Sequence, residues 1–226
     1  QPYLDLYISI VVPQAASLAS GPVVIVTDTG AVITSADDFT YRVPGAVTSV
    51  TPSSGQGGTS VRIEGAALLG GGTVLSSVTL GGIPAAATSV SDSLIQVVAG
   101  VASVRAAVGD VVVTSVTGSR VTFVNGWKYI VPGRVVSVTP NSGQVGTVVT
   151  ISGSNLLGGG AELATVSLAG LELQGIDAQS NTEVVVTVDH GDAASGDVVL
   201  TADTGAVITA ADEWTQLELG AVSTVG

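Results

Sequence analysis

The sequence has no cysteine, no methionine, one histidine, two tryptophans and only six basic residues among 226. Without cysteine there can be no zinc–thiolate site, disulfide framework, thiol nucleophile or c-type haem attachment. Six Lys and Arg against 18 acidic residues give a net charge of −12. That balance excludes nucleic acid as a partner, because phosphate binding needs clustered cations. Charged residues make up 11% of the chain, far below the usual quarter, so the surface must be built mostly from Ser, Thr and Gly. Although 46% of residues are hydrophobic, no apolar run approaches the ~18 residues that a spanning helix needs. The apolar content is Val and Ala in short pieces, as in buried strands, and it is ample enough to exclude disorder. No initiator Met and no signal-like segment is present, which implies a processed chain or a window of a longer one.

What the sequence does contain is a duplication. VTSVTPSSGQGGTSVRIEGAALLGGG begins at Val47, and VVSVTPNSGQVGTVVTISGSNLLGGG begins at Val135. Val50, Thr51, Pro52, Gly55, Gln56 and Thr59 thus recur at Val138, Thr139, Pro140, Gly143, Gln144 and Thr147, a constant offset of 88. The back half of the unit occurs three times, from Gly21, Gly109 and Gly196. A period this long suits one small domain, not a solenoid repeat. The parse is residues 1–45 as the back half of a unit, 46–133 and 134–220 as whole units, and 221–226 as the first strand of another. Within a unit, Val/Ile/Thr runs broken by SGQGG, LLGGG and LGG predict about seven strands and no helix. Leu4, Leu6, Ile8, Ile10 and Val12 alternate as one face of a strand. Short Pro-Gly joints at Pro44 and Pro132 predict close-coupled domains. The fold class is all-β: tandem immunoglobulin-like sandwiches with an incomplete one at the N-terminus.

The run V-x-S-V-T-P-x-S-G-x-x-G-T, followed by L-L-G-G-G, V-x-L-G-G, G-D-V-V-V and a closing aromatic-x-Tyr strand, resembles the IPT/TIG family of immunoglobulin-like domains. The opening signature is Val50–Thr59 and Val138–Thr147. The closing one is Trp127-Lys128-Tyr129 and Phe39-Thr40-Tyr41, with Trp214-Thr215-Gln216 as a departure. The resemblance implies a non-catalytic interaction or spacer module, extracellular or at the cell surface.

Individual chemistry-bearing residues point the same way. His190 lies in Asp189-His190-Gly191-Asp192, with Asp197 following, but the matching loops of the other copies carry no His. A Ser–His–Asp reading is therefore set aside and no catalytic residue is assigned. Asp189, Asp192 and Asp197 lack the D-x-D-x-D-G regularity of a Ca²⁺ loop and read as a plain acidic loop. Gly70–Gly72 and Gly158–Gly160 follow Leu-Leu, precede no helix and lack the P-loop Lys, so they read as sandwich loops. Phe39, Trp127 and Trp214 occupy one equivalent position and are expected to be buried core aromatics. No metal or cofactor is expected. No N-x-[ST] sequon occurs, and the 48 hydroxyl residues leave glycans open as O-linked groups or bound ligands. Residues 46–133 carry +1, residues 134–226 carry −10 and residues 1–45 carry −3, a partition that suits pairing between copies or simple solubility.

The broken frame carries the functional expectation. A sandwich buries its core only with both sheets present, and residues 1–45 offer one half. The expected repair is head-to-tail: Leu4, Leu6, Ile8, Ile10 and Val12 of one copy meet Val222 and Val225 of another by strand addition, giving an open filament. The partner is thus the chain itself, in an extracellular filament or stalk. The rival reading is an adhesion or glycan-binding module that uses the loops at one end of a sandwich.

Overall fold

A computed structural model describes residues 8–13, 18–102 and 108–220 of the chain. It divides into two compact units, residues 1–44 and 45–226. No helix occurs among the described residues, so none is long and apolar enough to cross a membrane.

The smaller unit is a ribbon of β1 (Ser20–Val26) and β2 (Val32–Thr40), paired antiparallel. Residues 8–13 form no strand. Alternating Ile8, Ile10 and Val12 predict one, but alternation supplies only a face, and a strand also needs a ladder of backbone hydrogen bonds. All three side chains are exposed. Leu4, Leu6, Val222 and Val225 lie outside the described residues.

In the larger unit the first sandwich runs through β3 (Ala46–Thr51), β4 (Ser54–Gly55), β5 (Ser60–Ala66) and β6 (Leu75–Leu80). It continues with β7 (Ile83–Val90), β8 (Leu94–Val98), β9 (Val108–Ser115) and β10 (Arg120–Tyr129). One sheet is ordered β3-β5-β8-β7 and the facing one β6-β9-β10-β4, with β7 paired first to β6 and then to β8. The second sandwich comprises β11 (Arg134–Thr139), β12 (Ser142–Gly143), β13 (Val148–Ser154), β14 (Leu163–Leu168) and β15 (Leu171–Glu172). It closes with β16 (Ala178–Gln179), β17 (Glu183–Thr187), β18 (Ala194–Ala202) and β19 (Val207–Gln216). Its sheets are β11-β13-β17-β16 and β12-β19-β18-β14-β15. The single sheet-switching strand β7 is here split into β15 and β16 by residues 173–177.

Period-two alternation builds both cores. Val61, Ile63, Val78, Leu80, Val111 and Val113 are buried in the first, and Val149, Ile151, Val166, Leu168, Val198 and Leu200 in the second. A bulge re-aims each closing aromatic inward. In the first sandwich, Asn125 at positive φ donates its N–H to Asp110 Oδ1 at 2.8 Å; in the second, Asp212 does the same to Asp197 Oδ1 at 3.0 Å. Trp127 and Trp214 are consequently 0% and 1% exposed.

Tyr129 meets Trp127 edge-on, with ring centroids 5.5 Å apart, and its hydroxyl is buried without a partner among the described residues. Burial pushes this phenol above its ordinary value. The native state therefore holds the proton to a higher pH than the unfolded chain, whose tyrosines ionise near pH 10. The corresponding stability is fully present below about pH 10 and is lost as pH rises through the native value. Tyr129→Phe removes an unsatisfied hydroxyl, so it should leave stability unchanged or raise it by up to about 1 kcal/mol. It should also flatten the loss of stability above pH 10. Thermal melts of both proteins between pH 7 and about 11 check this.

Candidate interaction surfaces

Two features stand apart from generic sandwich packing: the joint between the sandwiches and the ribbon face of the small unit.

The joint is built on Gln56. The first sandwich turns sharply between β4 and β5, and the turn presents Gln56, which is only 3% exposed. Its Nε2 donates to the Val207 carbonyl at 3.2 Å, and its Oε1 accepts the Gly133 N–H at 2.7 Å. The Ser60 N–H adds a bond of 2.8 Å to the Thr204 carbonyl. The turn between β18 and β19 is thereby held against the first sandwich, and Ala206 in it is fully buried. The Leu-Leu-Gly-Gly-Gly loop of the second sandwich closes the other side. Gly159 there takes a left-handed φ of +87°, which favours glycine, and sits against the tip of the Ile130 side chain. Asn155 Nδ2 donates to the Val131 carbonyl at 3.2 Å across the linker. The expected close coupling thus comes from a buried amide and a glycine loop, residues that sequence reading treated as turn punctuation. The constant 88-residue offset of Gln56 and Gln144 was the signal.

The ribbon shows the reverse. Phe39 pairs with Gly21 as Trp127 pairs with Gly109 and Trp214 with Gly196, so the three positions are equivalent. The expectation that Phe39 is buried is nevertheless wrong: it is 42% exposed. It stands edge-on to Tyr41 at 5.2 Å, the pairing that Trp127 and Tyr129 make inside a closed core. No second sheet lies over this face among the described residues, and Val23 and Ile33 are exposed on it. A hollow of about 370 Å³ lies against it, lined by Ile10, Val12, Val23, Phe39 and Tyr41. Ile10 and Val12, expected as contact residues between copies, thus reach the uncovered face.

The remaining candidates disperse. His190 is exposed on the loop before β18. Asp189 Oδ2 accepts the Gln174 N–H at 2.6 Å, Asp197 holds the β19 bulge, and Asp192 points to solvent. The acids do not converge, and among the described residues no group of three or more could hold a metal ion. The Glu64 carboxyl is held below the usual range first by the Ser49 hydroxyl, at 2.8 Å, and then by Arg62, at 2.6 Å, a local surface contact on β5.

A model of the IPT/TIG domain matches residues 46–127 and 134–213. No curated protein matches the chain as a sequence relative. Among solved structures, the plexin A4 full extracellular region is similar at 20% identity and a TM-score of 0.54, over 79% of this chain and 16% of that one. SGBP-B of the Bacteroides ovatus mixed-linkage glucan utilization locus, in complex with a mixed-linkage heptasaccharide, is similar at 18% identity and a TM-score of 0.31. That likeness covers 89% of this chain and 52% of the other. The plexin likeness is one of fold, and it spans about a sixth of that protein's length.

Proposed function

Because the chain belongs to the IPT/TIG domain family, we propose that it is a non-catalytic, extracellular structural protein whose copies join head to tail into a filament or stalk. The observation that carries this reading is the pairing of a locked joint with an open ribbon. Four joint hydrogen bonds and an interdigitated glycine loop tie the two sandwiches together. The Phe39 face offers an apolar surface of the kind that complete sandwiches bury. Burying the five N-terminal aliphatic side chains Leu4, Leu6, Ile8, Ile10 and Val12 at roughly 1.5–3 kcal/mol each is comparable to the net stability of a domain. Strand complementation from another copy supplies that cover, with the chain's first and last segments as the contact.

Negative-stain microscopy of the purified chain should show uniform unbranched fibres. Truncations lacking residues 1–12 or 221–226 should remain monomeric with their β signature intact. Fibres of normal length from both truncations would remove the complementation reading.

A second reading rests on the same surface. Exposed Phe39 beside Tyr41, over a hollow, is the type of aromatic platform on which sugar rings stack, so a glycan is the alternative occupant. The buried Trp127 and Trp214 offer no such platform. If glycan binding is the function, Phe39→Ala should abolish retention of the chain on β-glucan in affinity electrophoresis, and no fibres should form.

A further inference from the structure

The joint between the sandwiches consists of a knob and a socket; the chain carries a second knob of the same sequence and, at Gln144-Val145-Gly146-Thr147-Val148, a second socket that keeps three of the five residues. The seated knob is the turn of Asp203-Thr204-Gly205-Ala206-Val207, with its socket at Gln56-Gly57-Gly58-Thr59-Ser60. Residues 28–34 of the small unit read DTGAVIT, identical at all seven positions to residues 203–209. The matching turn of the first sandwich reads VTGSRVT over residues 116–122 and keeps only three of the seven. All three turns share one backbone, with Gly118 donating to the Ser115 carbonyl at 2.9 Å and Ser115 to the Ser119 carbonyl at 3.0 Å in the first sandwich, so side chains alone set the two identical turns apart. Gly30 donates to the Thr27 carbonyl at 3.0 Å and Thr27 to the Ala31 carbonyl at 2.9 Å; Gly205 and Ala202 make the same two bonds at 2.9 and 2.8 Å. Gly30 and Gly205 share a left-handed φ, +85° and +81°. Yet Ala31 is exposed where Ala206 is fully buried.

The spare socket is the β12–β13 turn at Gln144. Gln144 Oε1 accepts the Gly220 N–H at 2.9 Å, the same bond that Gln56 Oε1 makes with Gly133 at the occupied joint. Gln144 Nε2, the counterpart of the atom that grips Val207, has no partner among the described residues. Gln144 itself is exposed where Gln56 is buried. Around it Val145, Val148, Leu217 and Leu219 stand exposed, an apolar rim on an otherwise Ser/Thr-rich surface.

We propose that the Thr27–Val32 turn of one copy docks on the Gln144 turn of a second copy, repeating the contact that joins the two sandwiches. Gln144 Nε2 of the second copy then donates to the Val32 carbonyl of the first, and the second copy's Val148 N–H donates to the Thr29 carbonyl of the first. Ala31 is buried as Ala206 is. The second copy is the chosen occupant because each chain presents both an unfilled socket and the sequence already seen to fill one. The contact is heterologous, so it propagates in one direction. This proposal rests on the head-to-tail reading and adds to strand complementation a specific lock that sets the angle between copies.

Ala31→Arg blocks the knob and Gln144→Arg blocks the socket, each at an exposed position that the fold does not need. In sedimentation velocity the weight-average mass of the unaltered chain should climb with concentration above the 22.1 kDa of one copy. Either variant alone should stay at one copy. An equimolar mixture retains one intact knob and one intact socket, so it should stop at two copies, which also shows that both variants are folded. Variants that assemble like the unaltered chain overturn the docking while leaving the head-to-tail reading standing. A mixture that stays at one copy overturns it too, because the two lesions then do not belong to one contact. An unaltered chain that stays at one copy at every concentration overturns both.

Discussion

Trp127→Ala and Trp214→Ala are each expected to destabilise their own sandwich by about 3–5 kcal/mol, whereas Phe39→Ala at the equivalent position should cost close to nothing in a dilute monomer. The two tryptophans are fully enclosed, each aimed inward by a bulge and surrounded by Val and Leu from both sheets. Truncation removes their buried area and leaves a cavity that a β-sandwich, tied by its ladders, cannot close. For a domain of some 85 residues, a loss of this size lowers the melting temperature by roughly 15–30 °C. Phe39 already contacts solvent, so removing its ring opens no cavity. Thermal and urea unfolding of the three variants checks the contrast. If Phe39→Ala costs as much as the tryptophan variants, the ribbon face is covered in solution and the fibre reading gains its partner surface directly. The tryptophans also differ from each other. Trp214 Nε1 donates to Gln216 Oε1 at 3.2 Å, while Trp127 Nε1 is buried without a partner among the described residues. Trp214→Phe should therefore be the costlier of the two Trp→Phe changes, because it orphans a buried amide oxygen.

Gln56→Ala is expected to cost about 2–4 kcal/mol and to split one cooperative thermal transition into two. The amide satisfies the Gly133 N–H and the Val207 carbonyl at once, and losing it leaves both buried groups unpaired, at about 1–3 kcal/mol each. The two cores themselves are untouched. The loss therefore falls on the coupling between sandwiches and should appear in calorimetry as separate unfolding of the first and second domains. Gln144→Ala, at the repeat-equivalent but exposed position, should shift stability by no more than about 0.5 kcal/mol in a dilute monomer. The pair measures how far one repeated glutamine differs in energy when only one copy has a neighbour seated on it.

The sequence alone determined the repeat, the all-β class and the inward set of each strand. Strand sidedness is a period-two property of consecutive residues, legible at Val111 and Val113 or at Val198 and Leu200 without any tertiary information. It also placed Phe39, Trp127 and Trp214 on one equivalent position. Tertiary structure decided what covers them. Burial depends on whether a second sheet lies opposite, and Phe39 has the sequence context of a core residue without a facing sheet among the described residues. For the same reason the alternation of Ile8, Ile10 and Val12 does not make a strand, since the ladder partner is not encoded in the alternating residues. The joint was least legible of all. Gln56 and Val207 are 151 residues apart, and a repeated Gln in a Gly-rich turn looks like any polar turn residue. Only the folded chain brings a carbonyl and an N–H to its amide and makes it the lock between two domains.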